Sequence, residues 1–483
     1  MATARFCQNE RNNFGARAIP HWLILVLLIA WPIYLVVLGV WVIMQRREPV
    51  ATLGWIMALA FLPYIGFLIY YMFGPQHIQR SARRRVAAHK AIGQRNSSKL
   101  GTDDDALDRM ALSMTGYPPT TATRVDLLVD GGATYDALVK AIESAKKHVH
   151  VEYYIYAGDR TGTRIRDALI ERAKAGVKVR MLLDGMGSRL ARKFTLPLHD
   201  AGVELAFFHP VRWWMSPFAR PKLNMRSHRK IVICDGTVGF TGGINVTDDE
   251  NETLNAQAFR DLHMRVEGDV VRWLQVAWLE DWNYATEKKL DDEGLYPEPA
   301  PGPIALQVVP AGPDNDWEPI HRLQVEAIHR AERRVWLATP YFVPSRAALF
   351  ALEGAAMRGL DVRIVIPHKS DSHLVTAAAR SYFDKLFQAG VRIYEYGPRM
   401  LHSKALLVDD DTAIIGTSNF DTRSFSLNFE IVILFCDKGV AGKLQETMDH
   451  DMATAEEVTK DSPKPGWFGR FKQASARLFS PLL

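Results

Sequence analysis

Two stretches of the chain, SHRKIVICDGTVGFTGGIN and LHSKALLVDDDTAIIGTSN, set chemistry-bearing residues at the same offsets. The first supplies His228, Lys230, Asp235, Gly242, Gly243 and Asn245; the second supplies His402, Lys404, Asp409, Gly416, Thr417 and Asn419. Residues two apart on a strand project to one face, so each imidazole stands beside an ammonium, ahead of an apolar run that reads as a buried strand. One such pair is commonplace at a solvated edge, but two at identical spacing require a common explanation. Phosphodiester transfer through a covalent intermediate provides it. One imidazole attacks phosphorus, and the other protonates the departing alkoxide and later takes the proton of the incoming alcohol. Lysines and asparagines from both copies would hydrogen-bond the non-bridging oxygens and stabilise transition-state charge. Gly242, Gly243, Gly416 and Thr417 are expected to form loops that let backbone amides approach the phosphate. The scheme requires no metal or cofactor, and the sequence has neither metal-ligand spacing nor a Walker or dinucleotide loop.

The elements that must position these residues also occur twice. LVKAIESAKKHVHVEYYIY reads as a helix then a strand, and IRDALIERAKAGVKVRMLLDG as a helix, a glycine turn and a strand; RLQVEAIHRAERRVWLATPYF and LFALEGAAMRGLDVRIVIP repeat the pattern. Alternating strands and helices predict an α/β fold with mixed, parallel-rich sheets flanked by helices. The repeats are expected at 121–296 and 304–460, separated by a Pro-rich linker at 297–303. A length of 483 residues exceeds what one hydrophobic core serves. Cys7, Cys234 and Cys436 are too few and too scattered for a disulfide framework, which fits a reducing compartment for the body.

The N-terminus is a different material. Trp22–Met44 is uncharged and long enough to cross about 30 Å of hydrocarbon as a helix. Val50–Phe73 does the same after a short polar turn, and together they predict a transmembrane hairpin behind a tail at 1–21. The segment 74–120 reads as basic juxtamembrane chain followed by an acidic linker; its first part carries Arg80, Arg83, Arg84, Arg85, Lys90, Arg95 and Lys99 and no acid. By the positive-inside rule both ends of the hairpin face the cytoplasm, and the basic stretch would rest on anionic headgroups. Two other segments mix aromatics with cations. Phe207, Phe208, Trp213, Trp214 and Phe218 among Arg212, Arg220 and Lys222 read either as a lip at the headgroups or as a buried loop. The tail at 461–483, with Trp467, Phe468, Phe471, Leu478 and Phe479 beside Arg470, Lys472 and Arg477, reads either as an interfacial helix or as one packed on the second repeat.

The motifs resemble the paired HxKxxxxD signatures of the phospholipase D superfamily. The apolar N-terminus, both repeats and the terminal ARLFSPLL extend the resemblance over the whole chain to the bacterial cardiolipin synthases. It implies two tandem phospholipase D-like domains forming one pseudo-two-fold site. By that resemblance His228 is the nucleophile and His402 the acid/base, while Lys230, Lys404, Asn245 and Asn419 bind the phosphate. Asp235 and Asp409 belong to the motif and hold the site by ion pairing, and Asp261 and Glu430 match the acidic positions that orient the imidazoles from behind. The implied reaction moves a phosphatidyl group from one phosphatidylglycerol to another, giving cardiolipin and glycerol through a phosphatidyl-histidine, with no nucleotide. The implied setting is a bacterial inner membrane, multi-pass, with the catalytic body on the cytoplasmic side and anionic lipids as partners. Nucleic acid is not expected as a partner, since a nuclease needs no membrane spans and would line a groove with its cations. A phospholipase D-type hydrolase and a phosphatidylserine synthase share the site chemistry, and a non-enzymatic membrane scaffold would have no use for two complete motifs. Oligomeric state is left open.

Overall fold

A computed structural model describes residues 21–44, 49–62, 66, 70, 105–210, 224–290, 294–462 and 466–480. The chain divides into two compact units, Met1–Gly74 and Pro75–Leu483. In the first, helices α1 (His21–Met44, containing Pro32) and α2 (Pro49–Phe61) pack on each other around Val42, Leu59 and Tyr70. Among the described residues, which for α1 include side chains continuously only from Ile29, no helix is long and apolar enough to cross a membrane. Most of the expected second span beyond Phe61, and the whole basic stretch that follows it, lie outside the described residues.

The second unit opens with α3 (Ala106–Thr115) and β1 (Thr120–Ala122). Part of the expected linker is therefore ordered structure. Asp105 caps α3 through Leu107 N–H, and Leu107 and Ala111 are buried, so one apolar stripe docks the helix. The first repeat follows as β2 (Arg124–Val129), α4 (Asp130–Ser144), β3 (His148–Tyr153), α5 (Arg160–Lys174), β4 (Lys178–Asp184), α6 (Arg192–Asp200), β5 (Glu204–Phe208), β6 (Ile231–Cys234), β7 (Val238–Gly242) and β8 (Leu262–Glu267). Its sheet has the order β2-β8-β7-β6-β3-β4-β5. The long α7 (Val270–Thr286) leads out of it, buried along nearly its whole length, with Trp278 and Trp282 stacked 5.1 Å apart.

The second repeat runs β9 (Ile304–Ala311), α8 (Pro319–Arg330), β10 (Arg334–Ala338), β11 (Phe342–Val343), α9 (Arg346–Met357), β12 (Asp361–Pro367), α10 (His373–Arg380), α11 (Phe383–Ala389), β13 (Arg392–Tyr396), β14 (Ala405–Val408), β15 (Thr412–Gly416), β16 (Phe420–Asp421), α12 (Thr422–Ser426), β17 (Glu430–Cys436), α13 (Lys438–Ala453) and β18 (Ala455–Val458), and α14 (Trp467–Arg477) closes the described chain. Its sheet repeats the first as β9-β17-β15-β14-β10-β12-β13, with β1 added at one edge and β18 at the other.

The sheets are mixed, as expected, but not parallel-rich. Only β3-β4-β5 and β10-β12-β13 run parallel, and every other ladder of the two sheets is antiparallel. The reason is local: β6 and β7 are joined at Asp235 and Gly236, with φ of 55° and 68°, and β14 and β15 turn at Asp409, φ 52°. Each connection is three residues long, 235–237 and 409–411, and short connections with positive φ make hairpins, with Asp-Gly a strong hairpin signal. One hydrophobic core draws on both sheets, uniting Leu262, Met264, Leu306, Val308, Leu407 and Ile433 with the tryptophans of α7.

Candidate active site

Each histidine motif enters its hairpin through a loop that pairs with the other repeat. His228 N–H donates to Phe429 O (2.9 Å) and Phe429 N–H to Arg226 O (2.8 Å); His402 N–H donates to Arg260 O (2.7 Å) and Arg260 N–H to Met400 O (2.8 Å). Residues 429 and 260 immediately precede Glu430 and Asp261. The backbone pairing therefore delivers each carboxylate to the histidine of the opposite repeat. His228 Nδ1 lies 2.9 Å from Glu430 Oε2, and His402 Nδ1 lies 2.6 Å from Asp261 Oδ2. Both carboxylates are buried.

The lysines are buried too. Lys230 Nζ donates to His228 O (2.8 Å) and sits 5.6 Å from the centre of the Tyr154 ring. Lys404 Nζ bonds His402 O, approaches His402 Nδ1 at 2.8 Å and donates to Asp261 at 3.3 Å. Aromatic rings flank the imidazoles: Tyr154 lies 5.1 Å from His228, with Phe259 5.4 Å and Tyr341 6.5 Å from His402.

Burial dominates the protonation of this cluster. It pulls His228 down to about 4 against the opposing Glu430 carboxylate, with Lys230 and Lys404 adding to the fall. The Lys230 ammonium is likewise brought down by burial to about 7, against the pull of Glu430, and Lys404 is lowered against Asp261. Burial raises both carboxylates, yet the cations beside them win. Glu430 is held below its ordinary value by His228, Lys230 and the Thr417 hydroxyl, and Asp261 by Lys404 and His402. With its pKa lowered in this way, His228 favours the neutral imidazole at neutral pH, and its Nδ1 contact with Glu430 fits the tautomer that donates Nδ1–H to the carboxylate and leaves Nε2 with its lone pair.

Three expectations are corrected. Asp235 and Asp409 bond backbone amides rather than cations. Asp235 accepts from the N–H groups of Lys146, Lys147 and His148 (2.8, 2.7 and 3.0 Å), and Asp409 from Glu332, Arg333 and Arg334 (3.0, 2.8 and 3.1 Å). Each ties its hairpin to the start of the neighbouring strand. The glycines do not open a path for phosphate either. A Cβ at Gly242, where φ is 150°, would meet His263 Cα at 2.6 Å, one at Gly416 would meet Ile431 O at 2.3 Å, and one at Gly243 would lie 2.2 Å from Asp261 Oδ1. They admit the neighbouring strand and the Asp261 carboxylate. Thr417, standing where the first repeat has Gly243, donates instead to Glu430 Oε2 (2.6 Å). Finally, the two asparagines are not equivalent. Asn245 donates from its backbone and from Nδ2 to Glu250 (2.7 Å each) and accepts from Ile155 N–H (3.2 Å), whereas the Asn419 side chain forms no hydrogen bond with described residues and its backbone N–H meets only the Ser424 hydroxyl.

The chain resembles proteins of one family along nearly its whole length. A family model described as "Cardiolipin synthase, PLD-like domain" matches residues 138–259 and 325–452, and one described as "Phospholipase_D-nuclease N-terminal" matches 33–75. A cardiolipin synthase of Alkalihalophilus pseudofirmus is 36% identical over 96% of this chain and 95% of its own. Cardiolipin synthase 1 of Bacillus cereus is 37% identical over 94% of this chain and 93% of its own. The chain belongs to the cardiolipin synthases of the phospholipase D superfamily. As a member it is a phosphatidyltransferase, a membrane-associated enzyme of phospholipids. The fold is shared more widely: the crystal structure of phosphatidylserine synthase from Haemophilus influenzae covers 78% of this chain and 100% of its own at TM-score 0.59 with 13% identity.

Several members of the cluster carried no signal in the sequence. Glu250, buried and five residues past Asn245, brings a donor atom within 4.8 Å of those of Asp261 and His402. The Lys404 ammonium bonds two of those three groups and is drawn by Glu250, so it already supplies positive charge to them. Arg229, between the histidine and lysine of its motif, donates to Glu430 O (3.1 Å) and Ala311 O (3.2 Å) and pairs with buried Asp281. Part of the expected aromatic lip, 211–223, lies outside the described residues; Phe208 is buried against Phe429 and Tyr284.

Proposed function

We propose that the chain makes cardiolipin by reversible phosphatidyl exchange between two phosphatidylglycerol molecules. His228 Nε2 attacks phosphorus, the P–O bond to the headgroup glycerol breaks, and the departing alkoxide takes a proton from His402. The headgroup hydroxyl of a second phosphatidylglycerol then gives its proton back to His402 and attacks the phosphorus. The P–N bond breaks and cardiolipin leaves. Lys230, Lys404 and Asn419 grip the non-bridging oxygens, with the remaining Nδ2 proton of clamped Asn245 beside them. Asp261 and Glu430 set tautomer and orientation, and Asp235 and Asp409 hold the two hairpins in place.

The observation that carries this reading is the crossed pair of buried histidine–carboxylate contacts, His228 with Glu430 and His402 with Asp261. One pair alone could hold a phosphoryl group but not also shuttle the proton. The neutral state of His228 supports giving it the nucleophile's role. The two repeats act as one catalytic domain pair at 121–296 and 304–460, and the apolar helices of the first unit cross a bacterial inner membrane as a hairpin with both ends in the cytoplasm, beside the lipid pool. The uncharged sequence of α1 and the basic stretch at 80–99 support that placement.

Purified protein in mixed micelles with labelled phosphatidylglycerol, a chelator and no nucleotide should release glycerol and form cardiolipin. Phosphatidic acid as the only product would mean that water takes the acceptor's place, and the proposal would give way to a hydrolase. His402→Ala should let labelled phosphatidyl-His228 accumulate.

A further inference from the structure

Helix α14 is built inside out. At about 100° per residue, Gly469, Gln473, Ala476 and Ser480 share one face, the least exposed of the segment, with Ala476 fully packed. Trp467, Phe471 and Leu478 fall on the opposite side and Phe468 and Phe479 on one flank, and all five are between 49 and 80% exposed. An ordinary surface helix buries its large apolar residues and shows its small polar ones to water; this one does the reverse.

The helix is nonetheless firmly seated. Ala476 packs among Val343, Val375, Ala377, Ala378 and Tyr341; the Arg477 guanidinium covers the Tyr382 ring at 4.5 Å; and Ser480 Oγ meets the Tyr382 hydroxyl at 3.1 Å. Trp467 and Phe471 stack on each other at 5.7 Å, which holds the outward face as a ridge. A rigid exposed apolar ridge marks an interaction surface.

Its charge selects the partner. Arg470 and Lys472 are exposed at the flanks of the ridge, and from Trp467 to Leu483 the chain contains no acid. Aromatic rings with cations at their borders match the headgroup zone of an anionic bilayer, where rings sit at the interface and each cation meets phosphate. Position agrees. Tyr341, which helps seat the helix, is the ring 6.5 Å from His402, and its hydroxyl donates to Asp371 (2.8 Å). The seat of α14 thus continues into the wall of the site.

We infer that α14 is a membrane-docking helix that enters the headgroup zone of anionic bilayers and holds the His402 side of the site at the lipid surface. The inference rests on the proposed phosphatidylglycerol reaction for its purpose, though not for the docking itself. In the full chain, with Cys7→Ser as background, Phe468→Cys carrying an environment-sensitive label should be quenched by lipids bearing a nitroxide near the headgroup, and more so in vesicles containing phosphatidylglycerol than in neutral ones. The variant Trp467→Ser/Phe468→Ser/Phe471→Ser should turn over long-chain phosphatidylglycerol in vesicles at least tenfold more slowly, while keeping its rate on a short-chain, monomerically dispersed phosphatidylglycerol. An unquenched label overturns the inference. So does an equal loss on the dispersed substrate, which would give the ridge a role in holding the fold. Shielding that follows protein density rather than lipid charge overturns it as well, and assigns the ridge to a second copy of the chain. Quenching without turnover of either lipid by the unaltered chain would leave docking intact and remove the proposed reaction.

Discussion

Asp261 and Glu430 occupy corresponding positions, yet the structure furnishes them differently. Beside Asp261 stands Gly243, and beside Glu430 the Thr417 hydroxyl. The first repeat has no room for a side chain there, because a methyl group on Gly243 would sit 2.2 Å from Asp261 Oδ1. Gly243→Ala should therefore push Asp261 off His402 and lower kcat by about 100-fold, roughly 3 kcal/mol of transition-state stabilisation, with an unchanged circular dichroism spectrum; steady-state cardiolipin formation checks it. Retained activity would mean that His402 does not depend on that carboxylate. Lys230 supplies a second test. Its burial places deprotonation at about 7, so below that pH it carries the positive charge that the proposed reaction assigns to phosphate binding, and above it the charge is lost. The kcat/KM for phosphatidylglycerol should fall as pH rises through this region. Lys230→Arg, which stays charged, should be slower throughout but should lose that alkaline fall. A wild-type profile flat from pH 6 to 9 would contradict the assignment of Lys230 to phosphate binding.

Among the elements, those with period and length were legible in the sequence: helix-then-strand units and the strands behind each histidine motif follow from apolar periodicity. The direction of pairing was not. The Asp235-Gly236 step reads equally as part of a catalytic motif and as a hairpin turn, and the structure gives it the geometry of the turn, with the carboxylate of Asp235 bracing three amides. β1, three residues long, has no period to read, and its partner β9 lies far along the chain, so a strand at the boundary between the expected linker and the first repeat became an edge strand of the second repeat's sheet. Arg229 shows the same limit for a single side chain. Between a histidine and a lysine it reads as surface charge, yet it is fully buried, ties α7 to β17 through Asp281 and Glu430 O, and reaches Ala311 O on β9. Removing a buried ion-pair partner typically costs about 3–5 kcal/mol, because the remaining charge is left in the interior. Arg229→Ala should accordingly lower the unfolding free energy measured by denaturant titration by that amount and, by loosening Glu430, reduce activity even at temperatures where the variant is folded. A change below about 1 kcal/mol would show that Asp281 finds another route to solvent or to a proton.

For the whole molecule, duplication was written in the sequence, whereas the crossing of the carboxylates was not. Offsets within a motif are local, but the pairing of residue 228 with 429 and of 260 with 402 depends on how one repeat docks on the other. The exchange makes each half-site incomplete alone, since the acid behind each imidazole comes from the opposite half. Such a site acts on lipid only if the chain is held at a bilayer, and the first unit is the candidate anchor. The orientation proposed for it rests on charge. Seven cations and no acid lie between residues 80 and 99, whereas the turn between the helices carries only Arg46 and Arg47 beside Glu48; moving the richer segment across the membrane would be the more costly arrangement. A cysteine introduced as Gln45→Cys should thus react with a membrane-impermeant maleimide applied to intact cells, and one introduced as Ser81→Cys should react only after permeabilisation. The reversed pattern would put the catalytic body on the wrong side for a cytoplasmic lipid pool. Labelling of neither position in intact cells would mean that the two helices lie on the membrane without crossing it, leaving α14 and the basic segment to carry the attachment.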